Sequence, residues 1–276
     1  MDPSLVPNVV LNSGHKMPMI GYGTGVVPLP PNHELLTVFI AAIEAGYRHF
    51  DTAAYYGSEE ALGQAIAQAL QQGRIKSRTE LFVTTKLWCT STHPGLVVPA
   101  LKKSLERLGL EYVDLYLIHF PVRLREGVKG VKYSEGDILP IDMKGVEMNV
   151  SWQQENMRKF CKEKGIHVSG WSPLGSKGSM WGSNAVIDNP ILKDIAISTG
   201  KTVGQVALRW LIGKGVTPIM KSFNNERMKQ NLQIFDWELS EVDLERIEEI
   251  PQHRAFQGER FITQYGPFKT MEDFWA

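Results

Sequence analysis

Apolar residues follow two alternating rhythms along this chain: short runs apolar on both faces, and longer stretches with a single apolar stripe at helical spacing. The opening NVVLNSGHKMPMIGYGT reads as two short strands around a turn at Asn12-Ser13-Gly14, then a buried strand ending near Gly21. NHELLTVFIAAIEAG predicts a helix capped by Asn32 and stopped at Gly46. YRHFDTA is a strand, and SEEALGQAIAQAL a helix with Ser58 at the cap and Glu59 and Glu60 in its first turn, where the helix dipole favours negative charge. ELFVTTKLW is the next strand. PALKKSLERLG follows as a helix with Leu101, Ser104, Leu105 and Leu108 inward and Lys102, Lys103, Glu106 and Arg107 outward. YVDLYLIHF is too apolar on both faces for an exposed antiparallel sheet.

The rhythm then fails. One strand ends near His119 and the next convincing one starts near His167, with GDILPIDMKGVEMNVSWQQ between them. Beyond the gap come the helix WQQENMRKFCKEKG, the strand HVSGWSPL, helices in NPILKDIAISTG and TVGQVALRWLIGKG, and the strand TPIMKS. Thr202 and Gln205 have capping-box spacing. Strand, helix and strand repeated at about thirty residues per unit argue for parallel strands with right-handed crossovers. A barrel and a doubly wound sheet are the two candidates, and 276 residues suit one α/β domain, 1–276.

Composition narrows the function. With 43% hydrophobic residues the chain can bury a substantial core, which excludes disorder. Thirty basic residues against thirty acidic ones remove any general pull toward nucleic acid or anionic lipid. Cys89 and Cys161 make no disulfide framework and have no Cys/His neighbours at metal spacing, which fits a reducing compartment and no metal. MDPSLVPNVV has neither a basic n-region nor an apolar h-region, and the longest apolar helix pattern is broken by Glu44. The expectation is a cytoplasmic, soluble monomer with a small-molecule substrate and no membrane or nucleic-acid partner.

Asp51 closes YRHFD, Lys86 closes LFVTTK and His119 closes LYLIH, so three ionisable groups stand at carboxyl ends of buried strands, where barrel active sites lie. Tyr56, five residues past Asp51, can lean over the same rim. Singly, each has an ordinary reading: Asp starts loops, Lys snorkels from strand ends, and His is often a satisfied core group. Burying an acid near a base, however, costs several kcal/mol unless they pair, and a chemical use favours keeping them. Tyrosine titrates near 10, and an adjacent ammonium lowers that value. Lys86 is then the cation, Asp51 its anchor, and His119 the hydrogen-bond partner of a substrate oxygen. The set lacks a nucleophile with a partnered base, so hydrolysis fits poorly and carbonyl reduction fits well.

A hydride source needs a site. GYGTGV at 21–26 lacks G-x-G-x-x-G spacing and runs into VVPLPPN rather than a helix, so its glycines predict a tight turn at a barrel rim. IMKSFNNERMKQN runs from a strand into a helix, with Lys221 and Arg227 flanking Asn224 or Asn225 as cap. Two cations at a positive helix end suit a phosphate monoester such as the one that distinguishes NADPH from NADH. SPLGS at 172–176 offers donors for a pyrophosphate, and Trp171 before it can stack on a nicotinamide ring.

GYRHFDTAAYYGSEEALG, VTTKLW, DLYLIHFP, WSPLGS and KSFNNERMKQN together resemble the aldo-keto reductases. With the ending GPFKTMEDFW, the likeness is to the plant branch containing codeinone, methylecgonone and polyketide (chalcone) reductases. The resemblance implies a (β/α)8 barrel with an N-terminal β-hairpin, NADPH bound without a Rossmann unit, and a catalytic tetrad of Asp51, Tyr56, Lys86 and His119. It implies cofactor contacts at Thr24, Asp51, Trp171, Ser172, Leu174 and Ser176. Lys221, Ser222 and Arg227 would contact the 2′-phosphate, with Phe223 and Asn224 also among the cofactor-binding positions, and Gln230 and Asn231 would lie by the adenine. Trp88 and Phe120 match substrate-pocket positions, and the tail from about 251 would close over the substrate.

The resemblance also explains the broken rhythm. In relatives DMKGV opens a helix, a fifth barrel strand ending in Ser-Asn follows, and a sixth ends in Gln-Val-Glu-Met-Asn. Here DMKGV and VEMN fuse at Val146, as though roughly forty residues had been excised by alternative splicing or a gene-model error. The fifth strand and most of the sixth are thereby missing, and Gly145 stands where that Gln would be. The Ser-Asn pair and the Gln hold the nicotinamide carboxamide in relatives. The shortened chain is thus expected either to reduce a carbonyl or to persist as a weak or inactive variant that at most binds NADPH or a partner.

Overall fold

The computed structural model describes residues 3–120, 123–124, 138–139, 147–175, 182–254, 262 and 269–270. The chain opens with an antiparallel pair, β1 (Asn8–Val10) and β2 (Lys16–Pro18), in which Val9 faces Met17. As the residue pattern predicts, the turn closes at Gly14, whose N–H donates to the Leu11 carbonyl at 2.8 Å. Then the unit repeats: β3 (Gly21–Gly23), α1 (Asn32–Ala45), β4 (His49–Asp51), α2 (Glu59–Gln71), β5 (Phe82–Leu87), α3 (Val97–Leu108) and β6 (Leu115–Ile118). A two-stranded hairpin, β7 (Arg123–Leu124) and β8 (Ile138–Leu139), falls in the stretch where the rhythm fails. The second half continues with α4 (Glu155–Glu163), β9 (Val168–Trp171), α5 (Pro190–Thr199), α6 (Val203–Gly213), β10 (Val216–Met220), α7 (Asn225–Leu232) and α8 (Glu241–Glu248). None of these helices is long and apolar enough to cross a membrane.

Six strands form one parallel sheet in the order β6-β5-β4-β3-β10-β9. The first strand of the repeat therefore lies beside the last, through Ile219 opposite Gly21, as in a sheet that curls toward closure. Of the two architectures open to the sequence, this is the barrel. Beyond β9 a stub continues the wall: Glu147 bridges Trp171 in parallel, and the Met148 N–H donates to the Trp171 carbonyl at 3.2 Å. Among the described residues nothing pairs with the far edge of β6. The expected breach is thus open among the described residues, where Glu147 makes the single bridge onto β9. Its physical mark is burial: every residue of β4 is buried, whereas all four of β6 are only half-buried.

Helices begin and end for identifiable reasons. Gly46 adopts the left-handed conformation that ends α1, and α6 opens with the reciprocal capping box of Thr202 and Gln205. Two expected caps differ. Pro31 precedes α1 without any side-chain cap bond, leaving Asn32 inside the helix. Ser58 does precede α2, but it is fully buried and its hydroxyl binds Thr24 and Thr52 instead of the helix N–H groups. Gly21 and Gly23 lie inside β3 rather than in a turn, because a Cβ at Gly21 would come within 2.4 Å of the Ile219 side chain on β10. Helix α8, capped by Ser240 through the Asp243 N–H, completes the described helices and was not legible as a barrel element.

Two apolar clusters fill the molecule. One gathers Tyr22, Leu35, Phe39, Phe50, Leu62 and Ile66, which lie on β3, α1, β4 and α2. The other gathers Leu192, Val206, Trp210 and Ile247 with Met148 and Val150 from the stub. Burial of the stub's apolar side chains in this second core holds it against β9 despite its single bridge.

At the α2–α3 crossing a Cβ on Gly63 would lie 2.2 Å from the Leu108 carbonyl oxygen. Gly63→Ala is expected to cost about 1–3 kcal/mol as overpacking, seen as a lower urea midpoint; an unchanged midpoint would contradict this close crossing. A second expectation concerns acid. His49 is buried, its Nε2 lies 3.2 Å from Thr84 Oγ1, and burial lowers its pKa from 6.5 to about 4. Below the ordinary histidine range the unfolded chain takes up a proton that the folded chain refuses. The stability held by neutral His49 is therefore complete above pH 6.5 and declines as pH falls toward about 4, by roughly 1.4 kcal/mol per unit. Urea unfolding across that window should show a shallower decline in His49→Gln, and an identical slope would refute the assignment.

Candidate active site

Adjacent strands bring the predicted quartet together. Asp51 ends β4, Lys86 lies on β5, His119 follows β6, and Tyr56 ends a short 3-10 turn, Ala54–Tyr56, before α2. The pairing of Asp51 with Thr84 and of Lys86 with Leu117 aligns these strand ends. Lys86 Nζ forms an ion pair with the Asp51 carboxylate and donates to the Thr52 carbonyl at 3.0 Å. It lies 3.4 Å from the Tyr56 hydroxyl and 4.8 Å from the Tyr56 ring centroid. The His119 ring meets Tyr56 edge-on, with centroids 5.1 Å apart at 89°.

Several local features hold Tyr56 at this point. Gly57 turns left-handed at φ 72°, reversing the chain from the 3-10 turn into α2. Behind the ring lies Gly25, where a Cβ would press to 3.1 Å from the aromatic carbons. A hydroxyl chain, Thr24 to Ser58 at 2.8 Å and Ser58 to Thr52 at 3.3 Å, ties the loop after β3 to the start of α2. Thr24 is almost fully buried and its N–H donates to the Asp51 carbonyl at 3.0 Å, so it braces the site through backbone and hydroxyl alike.

Electrostatics assign a charge to each group. Burial opposes the Lys86 ammonium, but the Asp51 carboxylate and Tyr56 outweigh it, and the lysine pKa ends above its ordinary value. Burial pushes the Tyr56 phenol up, Lys86 pulls it down, and burial wins. The net direction is thus opposite to the acidification that the lysine alone would give, and the phenol stays protonated at neutral pH. Burial first, and the Lys86 charge second, hold His119 well below the usual histidine range, so its imidazole is neutral. Its Nδ1 is buried and has no hydrogen-bond partner among the described residues.

Aromatic rings surround the quartet. Of the two aromatic residues singled out in the sequence, Phe120 stacks on His119 at 5.0 Å and Trp88 lies edge-on to His119 at 5.2 Å. The sequence reading missed Tyr55, which stacks on Trp88 at 4.0 Å and 15°. Its only signal was its position beside Tyr56.

The remaining predicted positions lie at or after the ends of β9 and β10, of which β10 pairs with β3 and β9 pairs with β10. Trp171 is half-buried at the end of β9. Ser172 has a left-handed φ of 54°, and its carbonyl accepts from Gly175 N–H at 3.0 Å and Asn149 Nδ2 at 3.3 Å. Leu174 packs against both apolar clusters. Ser176, Gly145, Val146 and nearly all of the tail past Arg254 lie outside the described residues. After β10, Tyr22 donates to the Ser222 carbonyl at 2.5 Å and fixes the loop. Ser222 Oγ accepts the Asn224 N–H at 3.1 Å, and Asn224, rather than Asn225, caps α7 through the Arg227 N–H at 2.9 Å. Lys221, Phe223 and Arg227 are exposed, and neither cation has a carboxylate within ion-pair distance among the described residues. Gln230 is half-buried and Asn231 buried, and Gln205 donates to the Gln230 carbonyl at 3.0 Å to anchor the end of α7.

Residues 19–136 and 126–252 match the family model described as the Aldo/keto reductase family. Rhazimal reductase 2 of Alstonia scholaris is 48% identical over 313 residues, covering 98% of this chain and 97% of that one. NADPH-dependent codeinone reductase 1-4 of Papaver somniferum is 44% identical over 317 residues, covering 100% and 99%. Because these alignments run over 313 and 317 positions and this chain has 276 residues, roughly forty positions of each relative have no counterpart here. Among solved structures, the Bombyx mori aldo-keto reductase in complex with NADP superimposes with a TM-score of 0.81 at 33% identity, over 94% of this chain and 98% of that one. By sequence and by fold, this chain belongs to the aldo/keto reductase family.

Proposed function

We propose that the chain is an oxidoreductase of one barrel domain that reduces a ketone or aldehyde to an alcohol with NADPH, and that Tyr56 gives the proton. The carrying observation is the protonated Tyr56 hydroxyl 3.4 Å from a buried ammonium that Asp51 keeps charged. As the carbonyl carbon is reduced, negative charge grows on its oxygen, and a proton must arrive there. Tyr56 supplies it and Lys86 stabilises the phenolate left behind. Neutral His119 offers its ring N–H to the same oxygen, and Trp88, Phe120 and Tyr55 enclose the apolar part of the substrate.

NADPH supplies the hydride when bound. The residues present fit its phosphate end: Lys221 and Arg227 stand exposed at the positive start of α7, which favours the 2′-phosphate of NADPH over NADH. Ser172 and Leu174 would carry the pyrophosphate, Trp171 the nicotinamide face, and Gln230 and Asn231 the adenine. The plant relatives support a role in specialised metabolism, and a cytoplasmic monomer accords with the composition.

One observation favours a second reading, a weak or inactive variant that retains NADPH binding. Some forty positions of its relatives are missing, and among the described residues nothing joins β6 to the 147–149 stub. The one carboxamide on that stub, Asn149, is already engaged with the Ser172 carbonyl and the Ser151 N–H.

Tyr56→Phe is expected to lower turnover of a test ketone at least about a hundredfold while NADPH fluorescence quenching is kept; undiminished turnover would refute the proton-donor role. Quenching without turnover in the native chain would select the second reading. Lys221→Ala and Arg227→Ala should each raise the Kd for NADPH about tenfold or more and leave that for NADH nearly unchanged, and equal effects on both would refute the phosphate site.

A further inference from the structure

Behind the sheet, Glu59 is only 1% exposed in the first turn of α2. A carboxylate that deep is unfavourable unless donors and a cation hold it. Thr85 Oγ1 donates to its Oε1 at 2.7 Å, and Arg107 of α3 grips Oε2 through Nε at 2.6 Å and Nη2 at 2.5 Å. Arg107 Nη2 also donates to Ser104 at 3.0 Å. The contact of Gly63 with Leu108 brings α3 close enough for this grip. The Glu59 charge is also felt at Tyr116 on β6, where burial first and that charge next push the phenol up to about 12.

The positions of the partners give the knot its meaning. Glu59 is three residues past Tyr56, and Thr85 directly precedes Lys86. Successive strand residues point to opposite faces, so Thr85 reaches out to α2 while Lys86 reaches in to the phenol. We propose that Glu59 is a positioning residue: by tying the first turn of α2 to β5 through Thr85 and to α3 through Arg107, it sets the distance between the Tyr56 hydroxyl and Lys86 Nζ. This rests on the reading of Tyr56 as proton donor, and neither Glu59 nor Thr85 touches substrate.

The test compares Glu59→Gln, Thr85→Val and Thr85→Ser in the full chain. Glu59→Gln and Thr85→Val should each lower kcat about tenfold, with KM and NADPH affinity within about twofold of the native chain, and Thr85→Ser should recover kcat because it keeps the hydroxyl. In parallel, the NMR signal of the Tyr56 ring carbon bearing oxygen, identified by its loss in Tyr56→Phe, should move in the first two variants and return in the third. An unmoved signal with native kcat overturns the proposal. So does a kcat that falls only in proportion to the folded fraction while the signal stays in place. If the native chain reduces no carbonyl, the NMR comparison decides alone: a moved signal supports the positioning role even as the carbonyl-reduction reading fails, and an unmoved one overturns it.

Discussion

The interaction on which the rest depends is the ion pair between Asp51 and Lys86 at the rim of the sheet. Desolvation at this largely shielded position works against the Lys86 ammonium and lowers its affinity for the proton. Asp51 reverses that balance, and the Thr52 carbonyl takes a second of the three N–H donors. The charge that survives is what makes the neighbouring phenol useful. It also adds to the effect of burial on His119: burial first, and repulsion by Lys86 second, keep the imidazole neutral, so it can donate to an oxygen without competing for the proton.

This arrangement survives where the barrel does not. The four strands that carry or brace the quartet, β3 to β6, are consecutive and mutually paired, and their helices α1, α2 and α3 pack as a continuous layer. The missing wall lies on the other side of β6. Among the described residues His119 therefore follows an edge strand, while Asp51 on β4 and Lys86 on β5 keep paired strands on both sides. The segment from 147 onward shows how the chain absorbs the loss: Met148 and Val150 bury into the second core, and Gln153 donates to the Val150 and Ile247 carbonyls. The segment after the join is thereby held by the C-terminal side of the molecule.

Much of this was legible from residue order. Strand ends at Asp51, Lys86 and His119 could be read from apolar runs, and parallel pairing then forces them to one rim. The capping box at Thr202 followed from local spacing alone, whereas spacing left Asn224 and Asn225 both open as the cap of α7. What escaped depended on partners distant in sequence. The glycines of β3 serve close contact with β10, not a turn. Ser58 has cap spacing, yet Thr24, thirty-four residues earlier, takes its hydroxyl. The net direction of the Tyr56 pKa required knowing how deeply the ring is buried, which spacing to Lys86 does not reveal. Tyr55 and the Glu59 knot were hidden for the same reason.

The most direct test of the central claim is the titration of Lys86 itself, followed by NMR of its side-chain amine with Lys86→Met to assign the signal. The account predicts that Lys86 keeps its proton beyond the ordinary lysine value of 10.5, and that Asp51→Asn brings the titration below it. A native Lys86 that loses its proton below 10.5, as a desolvated lysine without an effective partner would, contradicts it.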